Sequence, residues 1–273
     1  MSDAHPKATT GAESAARIDT SKPHSARFWN YFVGGKDHYE VDQQIGDEIK
    51  EIFPGLVDVA VTSRHFLGRA VRHLAGAQGI RQFLDIGTGL PTADNTHEVA
   101  QRVAPDARIV YVDNDPVVLA HANALLTSTR EGKTAYLDAD LYEPEAVLEA
   151  AARTLDLSRP TALMILNTLG HVADHDQARD LVRRLMAGLP SGSYLVISDS
   201  TSTSPGMIAA SEAYNASGAV PYHVRPVAEI AGFFEGLDLV EPGVVQVTEW
   251  RPDSGDTTGR VAVDAYCGMG RKP

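Results

Sequence analysis

The sequence predicts an α/β fold with a mostly parallel β-sheet and helices on both of its faces. Five short runs of apolar and β-branched residues alternate with stretches of helical periodicity. These runs lie at 82–86, 107–113, 134–138, 161–167 and 193–199. Near-continuous apolar strands that alternate with helices are typical of a parallel sheet covered on both faces. Two further strand candidates near the C-terminus, joined by a polar turn-rich segment, indicate an antiparallel hairpin and bring the sheet to seven strands.

We expect one domain that is preceded by an arm. Residues 1–24 are polar and have no apolar period, which predicts a disordered arm. The single domain, 25–273, is expected to comprise an N-terminal helical cap at 25–75, a core at 80–200 and a final part at 201–273. The helices are expected near 26–33 and at 41–52, 57–74, 96–103, 116–126, 145–152, 176–188 and 227–234, and the hairpin strands at 243–250 and 260–268.

Composition and charge exclude several classes of partner and location. The formal net charge of −12 disfavours nucleic acid, which needs clustered Lys and Arg. No run of eighteen apolar residues occurs, so no membrane-spanning helix is predicted. The N-terminus lacks the apolar core of a signal peptide, so we expect a cytoplasmic protein. Cys267 is the only cysteine, which excludes an intrachain disulfide and a multi-cysteine zinc site, and no metal is expected.

A glycine-rich turn follows the first strand and predicts a ligand site. The run Asp85-Ile86-Gly87-Thr88-Gly89 lets a ligand approach the backbone closely. A dinucleotide fold avoids an acid such as Asp85, because a pyrophosphate binds against that turn. The third glycine of the dinucleotide motif is also missing, since Thr92 stands there. An acid is compatible with a ligand that carries an ammonium group, such as S-adenosylmethionine.

Further acids end the next two strands. Asp113 lies 24 residues beyond Gly89 and can accept hydrogen bonds from both ribose hydroxyls of a nucleoside, which suits NAD and S-adenosylmethionine alike. Asp140 is placed to accept from an adenine amino group, with the backbone N–H of Leu141 donating to the ring. The carboxyl ends of successive parallel strands line one crevice. The alternative for each single aspartate is a helix N-cap, but three in sequence order favour a cofactor site.

The chain resembles the actinobacterial S-adenosylmethionine-dependent methyltransferase family once catalogued as a domain of unknown function. The segments ARFWNYFVGGKD (26–37), QFLDIGTGLPT (82–92) and VYVDNDP (110–116) carry the resemblance, together with the ending GMGRKP (268–273). Asn30 is a departure, because the family more often has Asp there. The resemblance implies a class I, Rossmann-like methyltransferase fold and S-adenosyl-L-methionine as cofactor. It implies no particular acceptor.

The residues expected to bind the cofactor come from the glycine turn, the strand ends and the aromatic segment of the cap. They are Asp85, Gly87, Thr88, Gly89, Asp113, Asn114, Asp140, Leu141, Asn167, Tyr31 and Gly35. The Tyr31 to Tyr39 segment is interpreted as a mobile lid or wall of the site, as a helix end with Gly at its C-cap, or as both together. Arg64 and His65 are expected ahead of a helix, where a solvated or salt-bridged role is favoured over contact with a methionine carboxylate.

One residue is a candidate general base. His171 follows the fourth strand, faces the expected crevice, and has a side chain suited to proton transfer near neutral pH. The alternative is that His171 caps or packs the next helix; Asp199 is a weaker candidate. Asn167 is expected beside the methionine moiety, and Tyr214, Tyr222 and His223 lie in a loop-rich insert that is expected to wall the acceptor pocket.

The favoured function is methyl transfer to a small-molecule acceptor that carries a hydroxyl or amine. Asn167-Thr168-Leu169-Gly170 lacks the Pro-Pro-aromatic run of amino-methylating DNA enzymes, which again disfavours nucleic acid. A non-enzymatic S-adenosylmethionine-binding protein and a nicotinamide oxidoreductase are the alternatives. The sequence predicts neither the acceptor nor the oligomeric state.

Overall fold

A single mixed β-sheet forms the centre of the protein, seen in a computed structural model that describes residues 18–125, 128–253 and 261–273. Its strands are β1 (Gln82–Ile86), β2 (Arg108–Asp113), β3 (Lys133–Asp138), β4 (Ala162–Leu166), β5 (Tyr194–Ser200), β6 (Asp238–Leu239), β7 (Val245–Gln246) and β8 (Ala265–Arg271). Strands β1 to β5 pair in parallel, and β8 pairs antiparallel with β5, β6 and β7. The spatial order β3-β2-β1-β4-β5-β8-β6 reverses direction between β1 and β4. In open α/β sheets, ligands bind at the carboxyl ends of the strands beside such a reversal.

Nine α-helices are found within the described ranges. They are α1 (Ser25–Phe32), α2 (Glu40–Ile52), α3 (Leu56–Arg72), α4 (Thr96–Val103), α5 (Pro116–Leu125), α6 (Pro144–Ala151), α7 (His175–Ala187), α8 (Pro205–Ala216) and α9 (Val227–Gly232). A π-helical turn (His73–Ala77) extends α3, and a 3-10 turn (Leu169–His171) follows β4. None of these helices is both long and apolar enough to cross a membrane.

The helix starts follow local sequence chemistry. Asp174 and Ser204 are the N-caps of α7 and α8, and each side chain accepts from a backbone N–H in the first turn. Asn95 and Glu98 form a capping box at α4. Pro205 stands at the first position of α8, where its missing N–H costs no hydrogen bond.

Two hydrophobic clusters cover the two faces of the sheet. Alternate residues of a strand point to opposite faces, so Met164 of β4 joins one cluster while Leu163 and Ile165 join the other. The first cluster includes residues of α1, α2, α3, α4 and α8, and the second includes residues of α6, α7 and α9. This layering confirms the predicted α/β class with helices on both faces.

The C-terminal part departs from the prediction in strand number and length. The sheet has eight strands instead of seven, because two-residue β6 also pairs with β8. The expected hairpin exists, with Val245 opposite Cys267, but β7 is two residues long and β8 begins at Ala265. The Arg69 side chain accounts for the short β7, since it donates to the carbonyls of Val247 and Trp250. Part of the connecting loop, 254–260, lies outside the described residues.

Helix α8 is the element that the sequence analysis missed, because 205–216 was assigned to a loop-rich insert. Met207, Ala210 and Tyr214 are buried at helical spacing on one face of α8. Together with the Ser-Pro start, this pattern is a signal that could have identified the helix.

An ion pair fastens the start of the described chain to the cap helices. Residues 1–17 lie outside the described residues, so the arm stays a prediction there. Arg27 of α1 pairs with Asp42 of α2 at 2.8 Å, and both side chains are almost fully buried. Arg27 also donates to the carbonyls of Asp19 and Lys22, at 3.1 and 2.5 Å, so 19–24 is tied to α1. Asp42 accepts from the His24 N–H at 2.9 Å.

Replacing Arg27 with Met should lower the free energy of unfolding by about 3–5 kcal/mol, because it leaves the Asp42 carboxylate buried without its cation. Urea denaturation measures the change. The matched control is Arg102→Met, which breaks an exposed ion pair with Asp94 and should cost less than about 1 kcal/mol. Equal losses in the two variants would show that the Arg27–Asp42 pair does not hold the cap.

Candidate active site

A cavity of about 310 Å³ lies at the carboxyl ends of the parallel strands, beside the reversal of strand order. Its walls come from α1, α3, the segment 85–97 and the ends of β2, β3 and β4. This volume falls at the lower end of the range of about 300–1,000 Å³ for small-molecule sites. Asp85, Asp113 and Asp140 all line it, as the strand-end pattern predicts.

The turn after β1 requires glycine at two positions. Gly87 and Gly89 have φ values of 69° and 64°, in the left-handed region that favours glycine. A Cβ on Gly87 would lie 2.2 Å from Oγ1 of Thr168, so a side chain cannot fit there. The Thr88 hydroxyl hydrogen bonds with that of Tyr136. The turn therefore exposes its backbone to the cavity and packs against the turn after β4.

Asp113 is held at the glycine turn. Its two carboxylate oxygens accept from the N–H groups of Gly89 and Asp115, both at 2.9 Å. Burial raises the pKa of Asp113, against the lowering effect of these two hydrogen bonds. A carboxylate oxygen has a second lone pair, so both oxygens can still accept from hydroxyl groups of a ligand.

The ends of β2 and β3 are joined by a side-chain hydrogen bond. Asn114 Nδ2 donates to Asp140 Oδ2 at 3.3 Å, and the other Asp140 oxygen accepts from the Tyr142 N–H at 2.9 Å. Asn114, Asp140 and the buried Leu141 all line the cavity. These residues form the end of the cavity beyond Asp113.

Asp85 is a buried carboxyl at the other end of the glycine turn. Only 4% of the residue is exposed, and Thr96 Oγ1 donates to Oδ2 at 2.6 Å. Burial raises the pKa of Asp85 to about 6, while Thr96 and the Arg64 guanidinium oppose the rise. Such a carboxyl favours a cationic group in its neighbourhood.

Arg64 lies within α3 and lines the same cavity, which corrects the expectation that it and His65 precede a helix. Its Nη2 donates to the carbonyls of Ala93 and Asp94, at 2.9 and 3.3 Å. Burial lowers the pKa of the Arg64 guanidinium, and the nearby Asp85 opposes this. Arg64 therefore places its charge in the cavity wall, whereas His65 is not among the lining residues.

His171 stands at the end of the cavity on the 3-10 turn after β4. Its Nδ1 lies 2.9 Å from the carbonyl oxygen of Pro221. Because a carbonyl only accepts, Nδ1 carries the hydrogen and Nε2 carries the lone pair. Burial lowers the pKa of His171, outweighing the hydrogen bond to Pro221. The side chain is therefore neutral near pH 7 and able to accept a proton.

The family model for S-adenosyl methyltransferases matches residues 11–273. The chain belongs to this family. The S-adenosylmethionine cofactor expected from the sequence is therefore confirmed at the level of the family, as is the recognition of an S-adenosylmethionine-dependent methyltransferase.

Two solved structures are similar over nearly the whole chain. A DUF574 family protein from Streptomyces avermitilis is 47% identical, with a TM-score of 0.89 that covers 94% of this chain and 100% of its own. A candidate methyltransferase from Thermobifida fusca is 40% identical, with a TM-score of 0.86 that covers 93% of this chain and 96% of its own. These likenesses confirm the class I methyltransferase fold.

A curated relative is more distant. Carboxy-S-adenosyl-L-methionine synthase from Trichlorobacter lovleyi is 27% identical over 165 residues, which are 59% of this chain. The match spans 63% of that protein's length.

Two of the residues expected to bind the cofactor do not reach the cavity of this family member. Tyr31 turns toward α2, where its hydroxyl donates to Asp47 and its ring lies 3.8 Å from Lys50 Nζ. Gly35 packs on the Asn30 side chain, which a Cβ at that position would approach to 2.3 Å. For Tyr31 the physical reason is the helical phase of α1, which turns a different face to the cavity.

The cavity-facing side of α1 was not identified from the sequence. Ala26, Trp29, Asn30 and Val33 line the cavity, and their spacing of three to four residues places them on one face of the helical segment. Asn30 Oδ1 accepts from the Asp37 N–H at 2.9 Å, a role that needs no carboxylate.

His24 was also missed, because it lies in the predicted arm. It lines the cavity, and its Nδ1 lies 2.8 Å from Asp115 Oδ2, so it bridges the cap to the end of β2.

Asn167 reaches the cavity as expected, whereas Asp199 does not. Asn167 has a φ of 53°, and its buried Oδ1 has no hydrogen-bond partner within the described part of the chain. Asp199 is fully enclosed and accepts from the Tyr222 hydroxyl. Burial raises the pKa of Asp199 to about 6. Asp199 therefore lacks access to a substrate and is not a candidate base.

The Asp85 carboxyl predicts a pH-dependent stability. Its folded pKa of about 6 lies above its ordinary value of 3.8, so the folded chain holds this proton more tightly than the unfolded chain. Its contribution to stability is thus fully present below pH 4 and is lost as the pH rises through 6. Since two pKa units correspond to about 3 kcal/mol, Asp85→Asn should gain about 1–3 kcal/mol relative to the native protein between pH 4 and pH 7.

Urea denaturation of both proteins at the two pH values measures this difference. The same substitution at the exposed Asp106 is the control for removing a surface charge. If the stability difference between Asp85→Asn and the native protein does not change with pH, the raised pKa of Asp85 in the folded protein is refuted.

Proposed function

We propose that this protein transfers a methyl group from S-adenosylmethionine to a hydroxyl or amine of a small molecule. The observation that carries the proposal is the single cavity lined by Asp85, Asp113, Asp140 and His171. Three acids from successive strands can bind one adenosyl amino acid, and a neutral histidine stands at the end of the same cavity. When bound, the cofactor supplies a methyl group on a sulfonium, whose departure leaves a neutral thioether.

Each part of the cofactor has matching groups in the cavity. Asp113 would accept from the ribose hydroxyls, and Asp140 with Leu141 would hold the adenine. The buried carboxyl of Asp85 suits the α-ammonium group, which would favour the charged form of the carboxyl. The Arg64 guanidinium suits the carboxylate. The Asn167 Oδ1, which has no hydrogen-bond partner among the described residues, would provide a further acceptor for a donor of the amino-acid end.

His171 would act on the acceptor. Its Nε2 lone pair can take the proton of a hydroxyl as the oxygen attacks the methyl carbon, while Pro221 fixes the ring tautomer. Methyl transfer needs alignment of the two reactants in any case, and holding them together contributes a large part of the rate. The proton acceptor is needed only where the attacking group must lose a proton.

A small acceptor fits the charge and shape of the protein. The net charge of −12 opposes binding to nucleic acid, and α1 and α3 wall the cavity against a wide partner. Small-molecule sites are typically such concave cavities with a few polar groups.

Replacing Asp113 with Ala should weaken S-adenosylhomocysteine binding at least about 100-fold, because two hydrogen bonds to a charged acceptor contribute about 1.5–3 kcal/mol each. Isothermal titration calorimetry measures the affinity, and circular dichroism shows that the variant is folded. Asp106→Ala is the control, since Asp106 is exposed and outside the cavity. If folded Asp113→Ala binds S-adenosylhomocysteine as tightly as the native protein does, Asp113 does not bind the ribose hydroxyls.

The His171 imidazole should titrate below its ordinary pKa of 6.5, because burial disfavours the charged ring. NMR of the ring C–H signals against pH measures the midpoint, and the signal missing from His171→Gln identifies the residue. Calorimetry should show the same S-adenosylhomocysteine affinity in this variant. A midpoint at or above 6.5 would argue against His171 as a base that is neutral at physiological pH.

A further inference from the structure

A second cavity lies next to the first one on the far side of His171. The two share Ser25, Trp29 and His171 as lining residues, so these side chains form the boundary between them. The second cavity, of about 40 Å³, lies between α1, α8 and the segment that carries Tyr222. None of the acids that suit the cofactor lines it.

Aromatic side chains make up much of the wall of this second cavity. Phe28, Trp29, Tyr214 and Tyr222 line it, and the Phe28 and Tyr214 ring centroids lie 5.0 Å apart. The His171 ring stands edge-on to the Tyr222 ring, with centroids 5.1 Å apart. Flat aromatic walls favour a planar, apolar occupant, because ring pairs gain from offset-stacked and edge-to-face contacts.

Two residues that carry hydroxyl groups line this cavity beside the aromatic rings. The Ser200 side chain lies beside Tyr222, and the Tyr214 hydroxyl lies beside Ser25. Ser200 and Tyr214 are both at least nine-tenths buried. The wall of the second cavity is therefore mainly aromatic, with a few polar groups.

We propose that the second cavity receives the ring edge of a hydroxylated aromatic acceptor, whose hydroxyl faces His171 at the boundary with the cofactor cavity. This inference rests on the proposed methyl transfer and names its substrate class. A cavity of about 150 Å³ holds benzene, so the 40 Å³ space takes only one edge of a ring. The rest of the acceptor lies between the two cavities, which places its reacting hydroxyl beside His171.

The transfer balances with the groups present. A lone pair of the acceptor oxygen forms the new O–CH₃ bond, and the electron pair of the broken methyl–sulfur bond stays on sulfur. The hydroxyl proton passes to Nε2 of His171, so the neutral ring becomes an imidazolium. No oxidant or further reactant is needed.

The test uses 4-fluorophenol as the probe and ¹⁹F NMR as the binding readout, with the full-length protein saturated with S-adenosylhomocysteine. We expect 4-fluorophenol to bind, and 4-fluorocyclohexanol to bind several-fold more weakly because its puckered ring fits flat walls poorly. Ala210→Leu extends a buried side chain of α8 into the cavity and should weaken 4-fluorophenol binding at least about tenfold. Ala216→Leu, at the exposed end of the same helix, is the matched control and should bind as the native protein does.

Calorimetry with S-adenosylhomocysteine separates the two proposals. If the native protein binds S-adenosylhomocysteine but not 4-fluorophenol, the acceptor inference fails and the proposed function stands. If S-adenosylhomocysteine does not bind, the proposed function itself fails. Equal 4-fluorophenol binding in Ala210→Leu and the native protein, or equal binding of the two probes, would also overturn the inference. If Ala210→Leu does not fold, Ala210→Val takes its place in the 4-fluorophenol measurement, because valine is one carbon smaller than leucine.

Discussion

The close approach of the turns after β1 and β4 is the constraint on which the site depends. Gly87 adopts a left-handed conformation, and a Cβ there would lie 2.2 Å from Oγ1 of Thr168. Any side chain at that position would push the two turns apart, and with them Asp85 on one side and His171 on the other. The reversal of strand order opens a crevice at the carboxyl ends of β1 and β4. Gly87 allows the two turns that wall this crevice to pack closely.

The same crevice concentrates carboxyl groups where water is scarce. Burial raises the pKa of Asp85 and of Asp113, and both residues favour a proton more than they would in solvent. Arg64 is a nearby opposing charge, but its own pKa is lowered by burial. Structural cores avoid such arrangements, whereas binding sites tolerate them because a ligand offsets the cost. A ligand that carries an ammonium group, two hydroxyls and a carboxylate would be complementary to Asp85, Asp113 and Arg64 respectively.

The sequence could predict the parts of the fold and site that depend on local patterns. Strands β1 to β5, most helices and the strand-end acids follow from hydrophobic periodicity and from the topology of parallel sheets. The choice of face on α1 could not be predicted, because Tyr31 and Trp29 are equally aromatic and only packing against α2 decides which one reaches the cavity. The short length of β7 could not be predicted either. It depends on the Arg69 side chain, which donates to the carbonyls of Val247 and Trp250 from about 180 positions away in the chain.

The attachment of α1 limits how the helical cap can move. One face of the helix carries Trp29 into both cavities, while Arg27 on another face is paired with the buried Asp42. Breaking a buried ion pair costs about 3–5 kcal/mol, so α1 stays attached to α2. A movement of the cap that opened the cavity would therefore carry α1 and α2 together. The exposed Tyr142 and Val220 also line the first cavity, so its wall reaches solvent at these two residues.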